Sequence, residues 1–108
     1  MSQKFAALGI NKALQKSLAD LNITIPTDIQ EKSIPVLLEE QKDFVGMART
    51  GSGKTAAFGL AILQLIDKKI DHVQALILAP TRELCQQIGS NLESFATNLP
   101  DVSVAVTC

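Results

Sequence analysis

Residues 75–79 form an unbroken apolar run, ALILA, that is stopped by Pro80. A run of this length beside a turn residue is typical of a strand in a parallel sheet whose two faces are covered by helices. DFVGMA (43–48) and VSVAV (102–106) have the composition of two further strands. Parallel strands cannot be joined by tight turns, so we expect helices between them.

Helical patterns fill the chain before the first of these strands. Residues 10–21 predict a helix with apolar positions on one face. Thr27 predicts the N-cap of a short helix that runs to Ile34, and Pro35 predicts the start of another that ends near Glu40. In the helix predicted at residues 10–21, the apolar residues on one face are Leu14, Leu18 and Leu21.

The order of the elements indicates the fold class. A helix is predicted from Ser52 or Gly53 to about Lys69, and a second from an N-cap at Thr81 to about Asn98. Helices followed by β-α-β-α-β indicate an α/β fold with right-handed crossovers and a parallel sheet flanked by helices. Three strands are few for such a sheet, so we expect a sheet truncated after the third strand.

Composition and charge indicate a soluble globular chain. Of its 108 residues, 46% are hydrophobic and 19% charged, and the net charge of −1 provides no general attraction for nucleic acid. Cys85 and Cys108 lack metal-ligand spacing, and we expect reduced thiols in a cytoplasmic protein rather than a disulfide. The sequence shows no signal peptide and no apolar run long enough for a membrane span.

Residues 48–55, ARTGSGKT, lie between a predicted strand and a predicted helix, the context that a phosphate-binding loop requires. Gly51 and Gly53 can adopt positive φ and let backbone N–H groups approach an anion. Lys54 supplies a charge for the β- and γ-phosphates, and Thr55 supplies a hydroxyl ligand for Mg²⁺. The predicted nucleotide-binding residues here are Ala48, Arg49, Thr50, Gly51, Ser52, Gly53, Lys54 and Thr55, and Lys54 and Thr55 are also the predicted catalytic residues.

Ala48 stands where the general phosphate-loop pattern has glycine, and this octapeptide resembles motif I of the DEAD-box RNA helicases. IPTDIQ (25–30) resembles the Q motif of that family and PTREL (80–84) its motif Ia, in the family's order and at about its spacing. The resemblance implies a RecA-like P-loop fold that binds ATP with Mg²⁺ and unwinds short RNA duplexes. It divides the chain into an N-terminal helical Q-motif region (1–40) and a partial RecA-like ATPase domain (41–108), which form one structural unit.

The resemblance also implies site residues outside the loop. It implies that the Gln30 amide binds the N6 and N7 edge of adenine, that Phe5 lies near the nucleotide, and that Ile23 packs on the adenine ring. Ile23 follows Asn22 where the family commonly has an aromatic residue after glycine. From the residues alone, a polar surface position is favoured for Gln30, and packing in the core is favoured for Phe5. The predicted contacts to the RNA backbone are Pro80, Thr81, Arg82 and Glu83, although Thr81 and Arg82 alone read as a helix cap and a surface charge.

The acidic residue needed to hold Mg²⁺ for hydrolysis is absent from the sequence pattern. No Asp-Glu-Ala-Asp run occurs, and neither later strand ends in an acid that could hold Mg²⁺. We therefore expect weak nucleotide binding without efficient hydrolysis, with the remainder of a helicase, including a second RecA-like domain, as partner. The alternatives are a non-helicase P-loop ATPase or kinase that is indifferent to RNA, and a non-catalytic fragment that forms a homodimer through unpaired strand edges.

Overall fold

The computed structural model describes residues 3–40, 45, 53–67, 70 and 72–107. In this part of the chain, the regular secondary structure is helical. In this part, the longest helix has 14 residues, and none has both the length and the apolarity of a membrane span. In chain order the elements are α1 (Gln3–Ala7), α2 (Lys12–Asp20), α3 (Asp28–Pro35), a π-helical turn (Val36–Glu40), α4 (Lys54–Leu65), α5 (Arg82–Phe95) and a 3-10 turn (Ala96–Asn98).

α2 begins one residue after Asn11, whose side chain accepts the backbone N–H of Leu14 at 3.0 Å. Leu14 and Leu18 are 0% and 1% exposed, so the prediction that they share a buried face is confirmed. The same prediction is wrong for Leu21, which is 41% exposed. Leu21 is the C-cap, one residue beyond the last residue of α2.

The end of α2 is closed by Asn22, which adopts the left-handed conformation with φ of 61°. Its N–H donates to the carbonyl of Ala19 at 3.0 Å, and the N–H of Ile23 donates to the carbonyl of Leu18 at 2.8 Å. These two bonds form a Schellman motif, which normally has glycine at the left-handed position. The reversal turns Ile23 back toward the core, against which it packs half-buried.

α3 has the predicted N-cap at Thr27 and extends to Pro35, one residue beyond the predicted end. The separate helix predicted from Pro35 is wrong, because the chain continues from α3 directly into the π-helical turn. Pro35 has no N–H to donate to the carbonyl of residue 31. A wider turn accommodates the missing bond, which explains why the chain does not restart as a new α-helix.

α4 begins after Gly53 and ends at Leu65, short of the predicted end near residue 69. Ile66 has extended backbone angles and its N–H still donates to the carbonyl of Ile62, so it closes the last turn. Residues 68 and 69 lie outside the described part of the chain. α5 begins after the predicted N-cap Thr81, and with its 3-10 extension it reaches Asn98 as predicted.

The core lies where α1–α3 pack against α4 and α5. Two of its members, Phe5 and Leu60, are both 0% exposed. The buried hydrophobic residues of this core are Phe5, Ile10, Leu14, Leu18, Ile34, Ala56, Leu60, Leu63, Ile88, Leu92, Phe95 and Leu99.

The strands predicted at 75–79 and 102–106 are wrong for this structure, because neither described segment forms a strand. Each nevertheless retains the alternation of a strand. Ile77 and Ala79 pack on the core, whereas Leu76 and Leu78 are 81% and 85% exposed.

The two segments border one cavity of about 290 Å³ together with α4 and α5. Side-chain packing on α4 and α5 therefore positions the two segments. A strand also requires backbone hydrogen bonds to a neighbouring strand. No described residue of one segment donates a backbone hydrogen bond to the other. The strand predicted at 43–48 lies outside the described residues except for Val45, which is exposed and has no regular structure.

Candidate functional site

Gly53 is the N-cap of α4 and has left-handed backbone angles, φ 89° and ψ 22°. The prediction that glycine at this position takes positive φ is confirmed. Lys54, the first residue of α4, is exposed, and Thr55 is half-buried. The remaining predicted loop residues, Ala48, Arg49, Thr50, Gly51 and Ser52, lie outside the described residues.

Gln30 connects the start of α3 to the start of α4. Its Oε1 accepts the backbone N–H of Thr27 at 3.0 Å, and its Nε2 donates to the carbonyl oxygen of Gly53 at 3.1 Å. The side chain is 3% exposed, so the alternative of a surface glutamine is wrong. One buried amide therefore joins the turn before α3 to Gly53, 23 positions away at the start of α4.

Thr27 is a contact of Gly53 that the sequence analysis missed. A Cβ atom on Gly53 would lie 3.0 Å from Thr27 Oγ1 and would overlap Gln30 Nε2. Thr27 Oγ1 is buried and has no hydrogen-bond partner among the described residues. The sequence pattern that could have indicated a role for Thr27 is the spacing Thr-x-x-Gln at 27–30, which is that of a capping box.

An open cleft of about 950 Å³ brings together most of the predicted nucleotide-site residues that the structure describes. Phe5 is the exception, because it is fully buried in the core and has no surface available to a ligand in this conformation. The cleft continues along α5 past Leu84 and Gln87. The predicted site residues in its lining are Ile23, Gln30, Gly53, Lys54 and Thr55.

The predicted RNA-contact residues lie at the start of α5, where all four are exposed. Thr81 Oγ1 accepts the N–H of Leu84 at 3.1 Å, which confirms its role as a cap. The cap leaves other N–H groups of the first turn unpaired within the helix, and Arg82 adds a positive charge beside them. Glu83 is the acidic residue of the same turn. The four residues are Pro80, Thr81, Arg82 and Glu83.

Metal ligation would depend on few protein groups in the described part of the chain. No group of three or more His, Cys, Asp or Glu side chains is placed there to hold a metal ion. The described candidate ligand remains the hydroxyl of Thr55 at the start of α4. A single hydroxyl suits Mg²⁺, which keeps several waters and binds chiefly through substrate phosphates.

Comparison with known sequences gives relatives over most of the chain. The ATP-dependent rRNA helicase RRP3 of Gibberella zeae is 50% identical over 93 residues, which is 86% of this chain and 19% of the relative. The ATP-dependent RNA helicase DeaD of Escherichia coli is 44% identical over 100 residues, which is 93% of this chain and 16% of the relative. The chain thus spans less than a fifth of the length of either relative.

Solved structures give the same grouping. Chaetomium thermophilum Prp28, an RNA helicase bound to ADP, matches 85% of this chain at 44% identity with a TM-score of 0.77, covering 23% of that chain. Saccharomyces cerevisiae Dbp5, bound to RNA and ADP BeF3, matches 90% at 31% identity with a TM-score of 0.84, covering 25% of that chain. These likenesses support an α/β RecA-like fold, although the described part of this chain forms only helices.

The model of the DEAD/DEAH box helicase family matches residues 27–108, a range that starts at the N-cap of α3 and includes Gln30, Gly53 and the start of α5. Most of the chain is therefore covered by a single family pattern. This chain belongs to the DEAD/DEAH box helicase family.

Proposed function

We propose that this chain forms part of the ATP site and part of the RNA track of an ATP-dependent RNA helicase. The observation that carries the proposal is the link from Gln30 to Gly53, because it joins an amide suited to adenine to a glycine suited to phosphate. Family membership adds to this support, as do ADP in the Prp28 structure and RNA with ADP BeF3 in the Dbp5 structure.

The phosphates would lie at the start of α4. The N–H groups of the first turn have no partner within the helix, and the helix dipole places positive potential there. Lys54 is exposed at this end and adds a full charge. Gly53 lets the backbone turn into the helix without a side chain that would displace Gln30.

The adenine would lie against Gln30 and Ile23 in the cleft. Gln30 uses one Nε2–H and one Oε1 lone pair within the protein. A side-chain amide has two hydrogens and two carbonyl lone pairs, so one of each remains. This remaining pair matches the adenine edge, which offers the N6 amino group and the N7 acceptor. Guanine has an acceptor in place of that amino group and would be bound less well.

Mg²⁺ would enter with the nucleotide and neutralise charge on its phosphates. Thr55 would contribute its hydroxyl to the ion, and Lys54 would hold the β- and γ-phosphates. Because the 108 residues contain no Asp-Glu-Ala-Asp run, we propose that this chain binds nucleotide weakly and hydrolyses it inefficiently. Residues 1–40 would provide the adenine side and residues 41–108 the phosphate side.

RNA would contact the start of α5. Exposed N–H groups of the first turn and the charge of Arg82 suit a phosphate of the RNA backbone. Such contacts read phosphate and sugar, so we propose binding without sequence specificity. Unwinding activity, and a second RecA-like domain that closes on the RNA, are proposals for the whole protein.

Titration of the chain with MgATP tests the nucleotide proposal. Lys54→Ala removes a charge-assisted hydrogen bond of roughly 1.5–3 kcal/mol, so we expect affinity to fall roughly 10- to 100-fold. Lys32→Ala, a control at an exposed lysine of α3, should leave affinity unchanged. Equal affinities of wild type and Lys54→Ala would contradict the proposed phosphate site. Efficient turnover by the pure chain, abolished by Lys54→Ala, would contradict the proposed lack of hydrolysis.

A further inference from the structure

Gln64, the penultimate residue of α4, binds the turn that precedes α2. Its Oε1 accepts the backbone N–H of Asn11 at 2.8 Å, and its Nε2 donates to the carbonyl oxygen of Gly9 at 2.7 Å. These bonds join positions 53 and 55 residues apart in the chain. A long-range clamp of this kind fixes the position of one element relative to another.

The clamped turn is itself hydrogen-bonded to α2. Gly9 has φ of 101°, a conformation that favours glycine. Asn11 caps α2 through the N–H of Leu14, and Gln15 of α2 donates from Nε2 to the carbonyl of Ile10 at 2.7 Å. Because these two hydrogen bonds tie the turn to α2, Gln64 holds α2 as well as the turn.

α4 is therefore attached to the N-terminal helices near each of its ends. Gln30 of α3 binds Gly53 at the start of α4, and Gln64 binds the turn before α2 near its other end. The helix has 12 residues and is roughly 18 Å long. Because α4 also packs in the core through Ala56, Leu60 and Leu63, the two polar links add directional restraints on its tilt near both ends.

We propose that Gln64 is a positioning residue for the nucleotide, fixing the tilt of α4 against α3 so that Lys54 and Gln30 face one ligand at the correct separation. This inference rests on the proposed ATP site. A purely structural clamp would stabilise the turn equally for every ligand. A positioning clamp affects ligands that contact both helices more than ligands that contact α4 alone.

The test uses two glutamines that form the same kind of clamp. Gln64→Met removes both hydrogen bonds at nearly constant side-chain volume. Gln74→Met is the matched control, because the Gln74 amide binds the N–H and carbonyl of Asp67 at 2.8 Å each and the carbonyl of Ile70 at 3.3 Å. These bonds join residues 67, 70 and 74 and involve no residue of α1–α3.

Calorimetric titration of the 108-residue chain would compare ATP, GTP and inorganic tripolyphosphate, each with Mg²⁺. For Gln64→Met we expect ATP affinity to fall about tenfold toward that of GTP, while tripolyphosphate affinity is unchanged. For Gln74→Met we expect all three affinities to match wild type. Equal weakening of the three ligands by Gln64→Met, or no weakening, would overturn the proposal.

A second measurement needs no ligand. The N–H of Thr27 is bonded to Gln30 Oε1, so its hydrogen exchange reports how firmly α3 is held. We expect Gln64→Met to speed this exchange about tenfold and Gln74→Met to leave it unchanged. Unchanged exchange in Gln64→Met would overturn the positioning role. If the wild-type chain binds none of the three ligands, the proposed ATP site is contradicted. The hydrogen-exchange result still tests whether Gln64 fixes the position of α3.

Discussion

Asn22 satisfies a backbone requirement that glycine usually meets at the end of a helix. Its φ of 61° closes α2, and the reversal places Ile23 in the lining of the cleft beside Gln30. Asparagine tolerates the left-handed region better than other residues with a side chain. Asn22 therefore makes the turn that leads to α3, and Ile23 after it can pack on a ring but cannot stack as an aromatic side chain can.

Replacing Asn22 tests this explanation. Asn22→Ala places a Cβ with no compensating polar group in the left-handed region, so we expect the free energy of unfolding to fall by about 1 kcal/mol. Asn22→Gly should retain or slightly raise stability, because glycine adopts this conformation without strain. Urea denaturation of the three proteins measures the difference. A chain in which Asn22→Ala is as stable as Asn22→Gly would contradict the left-handed assignment.

At the level of elements, the helices were predictable because their signals are local. Thr27 and Thr81 are N-caps in the structure as predicted, and both are followed by helices near the predicted lengths. The strands at 75–79 and 102–106 were not predictable in the same way, because a strand depends on a partner that alternation alone does not supply. The Gln30–Gly53 bond likewise joins distant residues, and no local pattern specifies it.

α2 offers a matched pair for testing the core. Leu18 is 1% exposed and Leu21 is 41% exposed, so the two leucines differ mainly in burial. Leu18→Ala should lower the free energy of unfolding by about 2–5 kcal/mol, through lost transfer energy and a residual cavity. Leu21→Ala should cost less than about 1 kcal/mol, because its side chain is already partly in water. Chemical denaturation measures both values, and similar losses for the two variants would show that Leu21 belongs to the buried face.

For the whole molecule, one face of the segment 73–79 is uncovered. Leu76 and Leu78 on this face are 81% and 85% exposed, and Val73 of the same segment is 82% exposed. The segment VQALILA contains no charged residue. Such a stretch favours association with other chains. We propose that self-association of this chain, where it occurs, uses this face.

Charge substitutions on the two sides of the segment test that proposal. Leu78→Lys places a charge on the exposed side, so we expect the mass measured by light scattering at high concentration to decrease toward that of a monomer. Ile77→Lys places a charge on the side packed against the core and should instead destabilise the fold. A monomeric wild type across a wide concentration range would exclude self-association, and an unchanged mass for Leu78→Lys would exclude this face.

The proposed nucleotide site depends most on Gln30, which joins its two parts. Calorimetry with MgATP and MgGTP, on wild type, Gln30→Ala and the exposed control Glu31→Ala, tests it directly. We predict that wild type and Glu31→Ala bind ATP more tightly than GTP, by roughly 1–3 kcal/mol, because the amide matches adenine. We predict that Gln30→Ala binds the two nucleotides equally. Retention of the ATP preference in Gln30→Ala would contradict the account.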